Sequence, residues 1–231
     1  MKGKVALITG GSKGIGLGIA HALHQQGVKI ALTSRSKDAA ESAAKSVASD
    51  ALGLEADVRN RASMDAAVAA TVSAFGQIDY VIANAGLGHF ASIEDLTEEQ
   101  WHDTIDTNLT GVFYTIKASL EELKKSKGYI ITISSLAGTN FFPTASAYNA
   151  SKFGLTGFTQ AVMLDLRDHG INVSTIMPGS VATHFNNHEP SDADAWKIQP
   201  EDIGEIVVDL FKMNPRTLPS KIEVRPSRPN K

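Results

Sequence analysis

Short aliphatic and β-branched runs alternate along the chain with longer, Ala-rich amphipathic stretches. The apolar runs fall at 5–9 (VALIT), 28–34 (VKIALTS), 52–57 (LGLEAD), 78–84 (IDYVIAN), 129–134 (YIITIS), 171–177 (INVSTIM) and 221–225 (KIEVR). Most are nearly continuous rather than alternating, as strands covered on both faces of a parallel sheet should be. Between them, 14–26, 37–49, 61–75, 97–125, 146–169 and 201–213 have helical length and composition. Strand and helix in turn imply right-handed crossovers. The pattern therefore predicts an α/β fold with a doubly wound, mostly parallel, seven-stranded sheet and helices on both faces. The whole of 1–231 reads as one domain. One polar, Pro-containing window, 178–200, lacks any period. Long irregular segments in compact domains are usually functional.

Composition narrows the functional classes. The formal net charge of −3 leaves no basic footprint for nucleic acid or an anionic membrane, and neither partner is expected. Cysteine is absent, which excludes disulfides, thiolate metal ligands and cysteine nucleophiles. That fits a reducing cytoplasm. The opening MKGKVALITGG reads as a strand rather than a leader peptide, and no run of 18 apolar residues predicts a membrane span.

The first strand runs into Thr9-Gly10-Gly11-Ser12-Lys13-Gly14-Ile15-Gly16 and then a helix. Glycines there let the strand turn sharply, let backbone approach a pyrophosphate, and let the helix pack close to the sheet. The helix N-terminus offers free N–H groups to phosphate. The spacing is G-x-x-x-G-x-G, so a tight turn with no ligand is the alternative. Where the second strand ends, an acid would bond the ribose hydroxyls of NAD, whereas Arg would accept the 2′-phosphate of NADP. The chain reads Ser34-Arg35 with no acid, and Lys13 stands in the glycine loop. Two cations at these places favour a phosphate over solvated surface charge. Asp57 and Val58, after the third strand, are candidates for the adenine end of the pocket; Asp57 is equally a plausible helix cap.

Tyr148 and Lys152 are four residues apart in SAYNASKFGL and share a helix face. A phenol is a weak acid, and a nearby ammonium favours its ionised form, bringing it closer to useful proton transfer. Ser135 ends the strand YIITISS, thirteen residues before Tyr148, where ligands of open α/β sheets bind. Ser134 is its rival. Asn108 lies inside the stretch read as one helix, 97–125, where Asn is mildly unfavourable.

Together these residues resemble the compact, single-domain branch of the short-chain dehydrogenase/reductases over nearly the whole chain. The glycine loop, Asn84-Ala85-Gly86, the set Asn108, Ser135, Tyr148 and Lys152, and Pro178-Gly179 followed by Val181 and Thr183 all occur in family order and spacing. The resemblance implies a Rossmann-type fold and hydride transfer between a nicotinamide and a carbonyl or secondary alcohol. It assigns Tyr148 as acid/base and Ser135 as the group holding the carbonyl oxygen. Lys152 would lower the Tyr148 pKa and bind the nicotinamide ribose, and Asn108 would hold a relay water. The cofactor set it implies is Gly10, Ser12, Lys13, Gly14, Ile15, Gly16, Ser34, Arg35, Asp57, Val58, Asn84, Ala85, Gly86, Tyr148, Lys152, Pro178, Gly179, Val181 and Thr183. NADP(H) is the preferred cofactor, with NAD(H) as the alternative.

In relatives a substrate lid follows Thr183; here it is expected at 184–199, with an extended tail at 226–231. His89, Phe90, Phe141 and Phe185 are the substrate candidates and favour a small to medium apolar carbonyl compound or alcohol, as for a carbonyl reductase or alcohol dehydrogenase. A 3-oxoacyl thioester reductase is the alternative, although the C-terminus lacks that group's Asp-Gly-Gly segment. A non-enzymatic NADP sensor is a third reading, set back by the intact Tyr–Lys pair. No metal is expected. The resemblance further implies a homotetramer or dimer joined through 97–125 and 146–169.

Overall fold

The computed structural model describes residues 1–214 and 216–228. The end of the expected tail, 229–231, lies outside the described residues. Seven strands, β1 (Val5–Ile8), β2 (Lys29–Ser34), β3 (Leu52–Glu55), β4 (Tyr80–Ala83), β5 (Tyr129–Ile133), β6 (Asn172–Pro178) and β7 (Lys221–Val224), form one sheet in the order β3-β2-β1-β4-β5-β6-β7. Every neighbouring pair is parallel. The strand order reverses between β1 and β4, which opens a crevice at their carboxyl ends.

The continuous apolar runs are explained by two cores of opposite parity. Ile8, Ile30, Leu32, Ile82, Ile131 and Ile176 face α1 (Gly14–Gln25), α2 (Lys37–Val47) and α7 (Pro200–Lys212). Leu7, Ala31, Val81, Ile130 and Val173 face α3 (Arg61–Phe75), α5 (Gly111–Ser126) and α6 (Ser146–Leu166). Adjacent strand residues thus bury into different layers, so neither parity is polar. At the amino ends of the strands, opposite the crevice, buried Asp79 accepts from Lys4 Nζ (2.8 Å), the Val5 amide (2.8 Å) and Gln77 Nε2 (2.7 Å). It stitches β1 to β4.

The stretch expected as one helix, 97–125, is three pieces. After α4 (Glu98–Ile105), a π-helical segment spans Asp106–Thr110 before α5 begins. The Gly111 amide donates to Asp106 O, five residues back. Gly111 also lets α5 approach the segment after β3, since a Cβ there would stand 2.7 Å from Val58 Cγ2. The widened turn holds Asn108, and π-bulges frequently mark functional sites.

Helices α1 and α7 pack at backbone range. A Cβ on Gly18 would lie 2.6 Å from the Pro200 carbonyl, and one on Gly204 would lie 2.7 Å from Ala22 Cβ. Just before α7, the chain is pinched into a neck by a parallel bridge between Val181 and Ile198. Ala182 N donates to Ile198 O (2.9 Å) and Ile198 N to Ser180 O (3.1 Å). The segment 184–199 emerges from that neck with single 3₁₀ turns at Phe185–Asn187 and Asp192–Asp194.

Candidate active site

The glycine loop lies at the switch point, and each glycine there has a geometric reason. Gly10 and Gly14 have φ of +62° and +56°, values that favour glycine. A Cβ on Gly10 would meet Ala85 Cα at 2.8 Å, and one on Gly16 would meet Asn84 Nδ2 at 2.5 Å and Gly10 O at 2.6 Å. A Cβ on Gly14 would touch the Thr183 side chain at 3.2 Å, so Thr183 stands against the start of α1. No side chain caps that end of α1. Its first amides and its dipole are therefore presented to an anion.

Asn84 holds this loop in shape. Its Nδ2 donates to Thr9 O (2.9 Å) and Gly10 O (3.0 Å), while the amides of Asn84 and Ala85 donate to Thr9 Oγ1 at 3.1 and 3.2 Å. Thr9, unassigned from sequence, is thus the hinge pin between the two loops. Gly86 carries the same strand exit to the next cluster. A Cβ there would lie 3.2 Å from Asn108 Oδ1 and 3.5 Å from Lys152 Nζ.

At the rim, Arg35 and Lys13 are exposed, and among the described residues neither takes part in an ion pair. Ser34 Oγ accepts from the Ser36 amide (3.3 Å), turning the chain after β2. Asp57 is engaged by Arg59, whose Nη2 donates to Oδ2 at 2.7 Å and whose Nε donates to Oδ1 at 3.0 Å. The Arg59 guanidinium holds the Asp57 carboxyl below the usual range, and Arg35 adds to the effect. Arg59 Nη1 also donates to Asp103 Oδ1 (2.7 Å), and Asp103 Oδ2 lies 2.9 Å from His89 Nε2. His89, a substrate candidate, is therefore tied to the Asp57 corner through two residues that sequence reasoning missed. Arg59 and Asp103 are 44 positions apart, and nothing local links them. Val58 and Ile15 pack into cores.

The four residues expected to do chemistry converge beside this crevice. Tyr148 and Lys152, on α6, are 8% and 5% exposed. Lys152 Nζ donates to Ile133 O (3.0 Å) and lies 5.7 Å from the centre of the Tyr148 ring. Ser135 caps the short turn after β5, with its Oγ accepting from the Ala137 amide (3.1 Å) and lying 3.5 Å from Pro178 O. Its rival, Ser134, is buried and bonded to Thr156 Oγ1 (3.0 Å) and Lys152 O (3.3 Å), so it braces α6.

Asn108 Nδ2 donates to Leu87 O (2.8 Å) and Ser151 Oγ (3.0 Å), and its Oδ1 accepts from Leu87 N (2.9 Å). Both N–H groups are spent on protein, and one Oδ1 lone pair is left for a water. Pro178 and Gly179 end β6 beside Ser135, where the Gly179 amide donates to Val224 O (2.8 Å).

Electrostatics here differ from expectation in one respect. Burial pushes the Tyr148 phenol up, and the neighbouring Ser135 hydroxyl pulls it only partly back. Lys152 does not pull it below its ordinary value. Its own ammonium is desolvated, which pushes its pKa down to about 8. Burial penalises both charged forms at once.

Aromatic rings roof the site. The Tyr148 ring centre lies 5.3 Å from that of Phe90 and 5.6 Å from that of Phe185; Phe90 lies 6.2 Å from both Phe142 and Phe185. Phe141, expected at the substrate, is instead 86% exposed and joins none of these pairs, while its neighbour Phe142 does.

The 184–199 segment carries its own anchor. Asp194, 5% exposed, binds Lys197 Nζ (2.6 Å) and His188 Nε2 (2.6 Å). These contacts, Lys197 first, hold its carboxyl far below the usual range. His184 lies 3.4 Å from Glu189.

Residues 4–194 match the family model for short chain dehydrogenases. An uncharacterized oxidoreductase of Staphylococcus aureus strain MRSA252 is 33% identical over 226 residues, covering 96% of this chain and 97% of the relative. Among solved structures, an alcohol dehydrogenase from the archaeon Thermococcus sibiricus, complexed with 5-hydroxy-NADP, superposes with a TM-score of 0.91 at 30% identity, covering 99% of each chain. A 3-ketoacyl-(acyl-carrier-protein) reductase from Brucella melitensis, complexed with NADH, gives 0.91 at 27% identity and 98% coverage of each chain. Matched over most of its length in sequence and nearly all of it in fold, the chain belongs to the short-chain dehydrogenase family, the nicotinamide-dependent oxidoreductases of CH–OH groups.

Proposed function

We propose that this chain is an NADP(H)-dependent carbonyl reductase or alcohol dehydrogenase for small to medium apolar substrates. The observation that carries the reading is the buried Tyr148 with Ser135 beside it and Lys152 one turn on, at the mouth of a glycine-lined crevice. The crevice fits a dinucleotide. Side chains are excluded where a pyrophosphate would pass, and α1 presents uncapped amides there.

A bound nicotinamide supplies or accepts the hydride. In reduction, Tyr148 donates its proton to the carbonyl oxygen, and its raised pKa keeps that proton in place at neutral pH. Ser135 donates a hydrogen bond to the same oxygen and stabilises developing negative charge. Lys152 supplies positive charge behind the phenol and recharges it with a proton. Asn108 clamps the exit of β4 to α6 and keeps one acceptor position for a water on that route. Arg35 and Lys13, both free of ion pairs among the described residues, support 2′-phosphate recognition and hence NADP(H) over NAD(H). The neighbouring solved structures hold one cofactor of each kind.

Among the described residues no helix is long and apolar enough to cross a membrane. With cysteine absent, this supports a cytoplasmic setting. Phe113, Phe153 and Leu164 are exposed on α5 and α6, which supports a dimer or tetramer through those helices. The likeness to the Brucella melitensis enzyme favours one second reading, a 3-oxoacyl thioester reductase. A panel of ketones, alcohols and acetoacetyl thioester, followed by NADPH absorbance, separates the two. Tyr148→Phe should abolish turnover while NADPH still binds; an unchanged rate would sink the mechanism.

A further inference from the structure

The first turn of α6 carries a buried amide that the mechanism does not use. Asn149 directly follows Tyr148 and is 8% exposed. Its Nδ2 donates to Ala137 O and Asn140 O, both at 2.7 Å, and its Oδ1 accepts from the Phe142 amide at 3.4 Å. Two carbonyls on one terminal atom identify that atom as the nitrogen. Both of its N–H groups are therefore spent on the loop that follows Ser135. An aspartate offers neither, and an alanine leaves the Ala137 carbonyl without this donor.

That loop begins as the short turn Leu136–Gly138, and the turn bears on Ser135. The Ala137 amide donates to Ser135 Oγ (3.1 Å), so one lone pair of the hydroxyl is taken from a fixed direction. The hydroxyl proton is left with a long contact, 3.5 Å, to Pro178 O, and is available to a substrate oxygen. The same hydroxyl bears on the Tyr148 phenol and draws its pKa partly back down. The turn also lies on α6 at backbone range, since a Cβ on Gly138 would stand 2.8 Å from Lys152 O. Successive helix residues point about 100° apart. One turn of α6 thus carries the phenol and, on the next side chain, grips the turn that aims the hydroxyl.

We propose that Asn149 is a positioning residue for the carbonyl subsite, setting the Ser135 hydroxyl against Tyr148 through the turn 136–138. With its amide committed to the loop, it acts through Ser135 rather than on the substrate. The inference rests on the reductase reading above.

A double-mutant cycle tests it. Ketone reduction by NADPH is followed for the natural chain, Asn149→Ala, Ser135→Ala and the double variant, with cyclohexanone or the fastest ketone of the panel. Asn149→Ala should lower kcat by about 10- to 100-fold, while the Kd for NADPH, read by fluorescence, stays unchanged. In the Ser135→Ala background the same change should cost less than about 3-fold, because the group it aims is gone. In Asn149→Ala the alkaline limb of the rate should move to higher pH, as the ionised phenol loses a donor. Additive losses or an unmoved limb overturn the inference and leave the reductase reading standing. Where Asn149→Ala does not fold, Asn149→Ser, which keeps one donor, is read in the same cycle. If no carbonyl compound or alcohol turns over although NADPH binds, the reductase reading fails instead. The Tyr148 titration is then read from tyrosinate difference spectra, with Tyr148→Phe subtracted as the blank. An upward shift in both Asn149→Ala and Ser135→Ala supports the inference, and any other pattern overturns it.

Discussion

Replacing Lys152 by methionine keeps the length of the side chain and removes its charge, and the effect on folding can be worked from the site. Burial brings the Lys152 pKa down from 10.5 to about 8. Its folded-state value lies below its unfolded value, so the penalty is full where the group is charged in both states. It fades as pH rises above about 8 and is gone above the unfolded value of about 10.4. At about 1.4 kcal/mol per pH unit, that drop makes the penalty roughly 3 kcal/mol at neutral pH. The Lys152→Met variant escapes it but leaves Ile133 O without its donor, which costs about 1–3 kcal/mol. That loss does not depend on pH, whereas the relief does. The stability of Lys152→Met relative to the natural chain should therefore fall by about 2 kcal/mol between about pH 7 and about pH 9.5. Urea unfolding at several pH values measures it, with protein concentration fixed so that any association cancels. A difference that stays flat across that range would show that Lys152 is not desolvated, and the argument from burial would fall.

Arg35→Asp should raise the Kd for NADPH by about 10- to 100-fold and improve NADH, read by cofactor fluorescence, because a charge-assisted contact is replaced by repulsion. In Asn84→Ala, the carbonyls of Thr9 and Gly10 lose their donor. Stability should drop by about 1–3 kcal/mol, and KM for the cofactor should rise more than kcat falls. Asp194→Asn should lower Tm and speed proteolysis between 184 and 199, because Lys197 and His188 lose their charged partner. In the natural chain the same contribution should persist down through the ordinary carboxylate range, since the folded-state pKa is depressed, and vanish only in strong acid.

The sheet was readable because burial on both faces leaves a continuous apolar run whatever the fine geometry. Every strand so marked lies within two residues of an observed one. The helix 97–125 was misread for a physical reason. A π-turn widens one turn by a residue, and the runs on either side of Asn108 are each helical. The clue was Asn108 itself, a poor helix residue whose partners, Leu87 and Ser151, are 21 and 43 positions away. The chemistry of Tyr148, Lys152 and Ser135 was legible because a helix turn and a strand end place them. Arg59 and Asp103 escaped notice because each acquires its neighbours only once separate crossovers meet at the crevice. The direction of the Tyr148 shift escaped as well, since a sequence shows the neighbouring charge but not the loss of water around both groups.

The neck at Val181–Ile198 and the back-to-back contact of α1 with α7 together give this molecule an interchangeable part. Cofactor geometry depends on α1, and α1 is braced by α7 through Gly18 and Gly204. The chain between the neck's two sides meets them at its ends, with Thr183 against the start of α1 and Asp194 O and Lys197 O accepting from Gln199, the cap of α7. Its ends are already held together, so a change in its length alters mainly closure entropy, about 0.6 kcal/mol per doubling. Descendants of this chain could exchange 184–193 for a longer or differently lined loop and keep the same redox engine beneath it. Selection on substrate and selection on cofactor can then proceed independently.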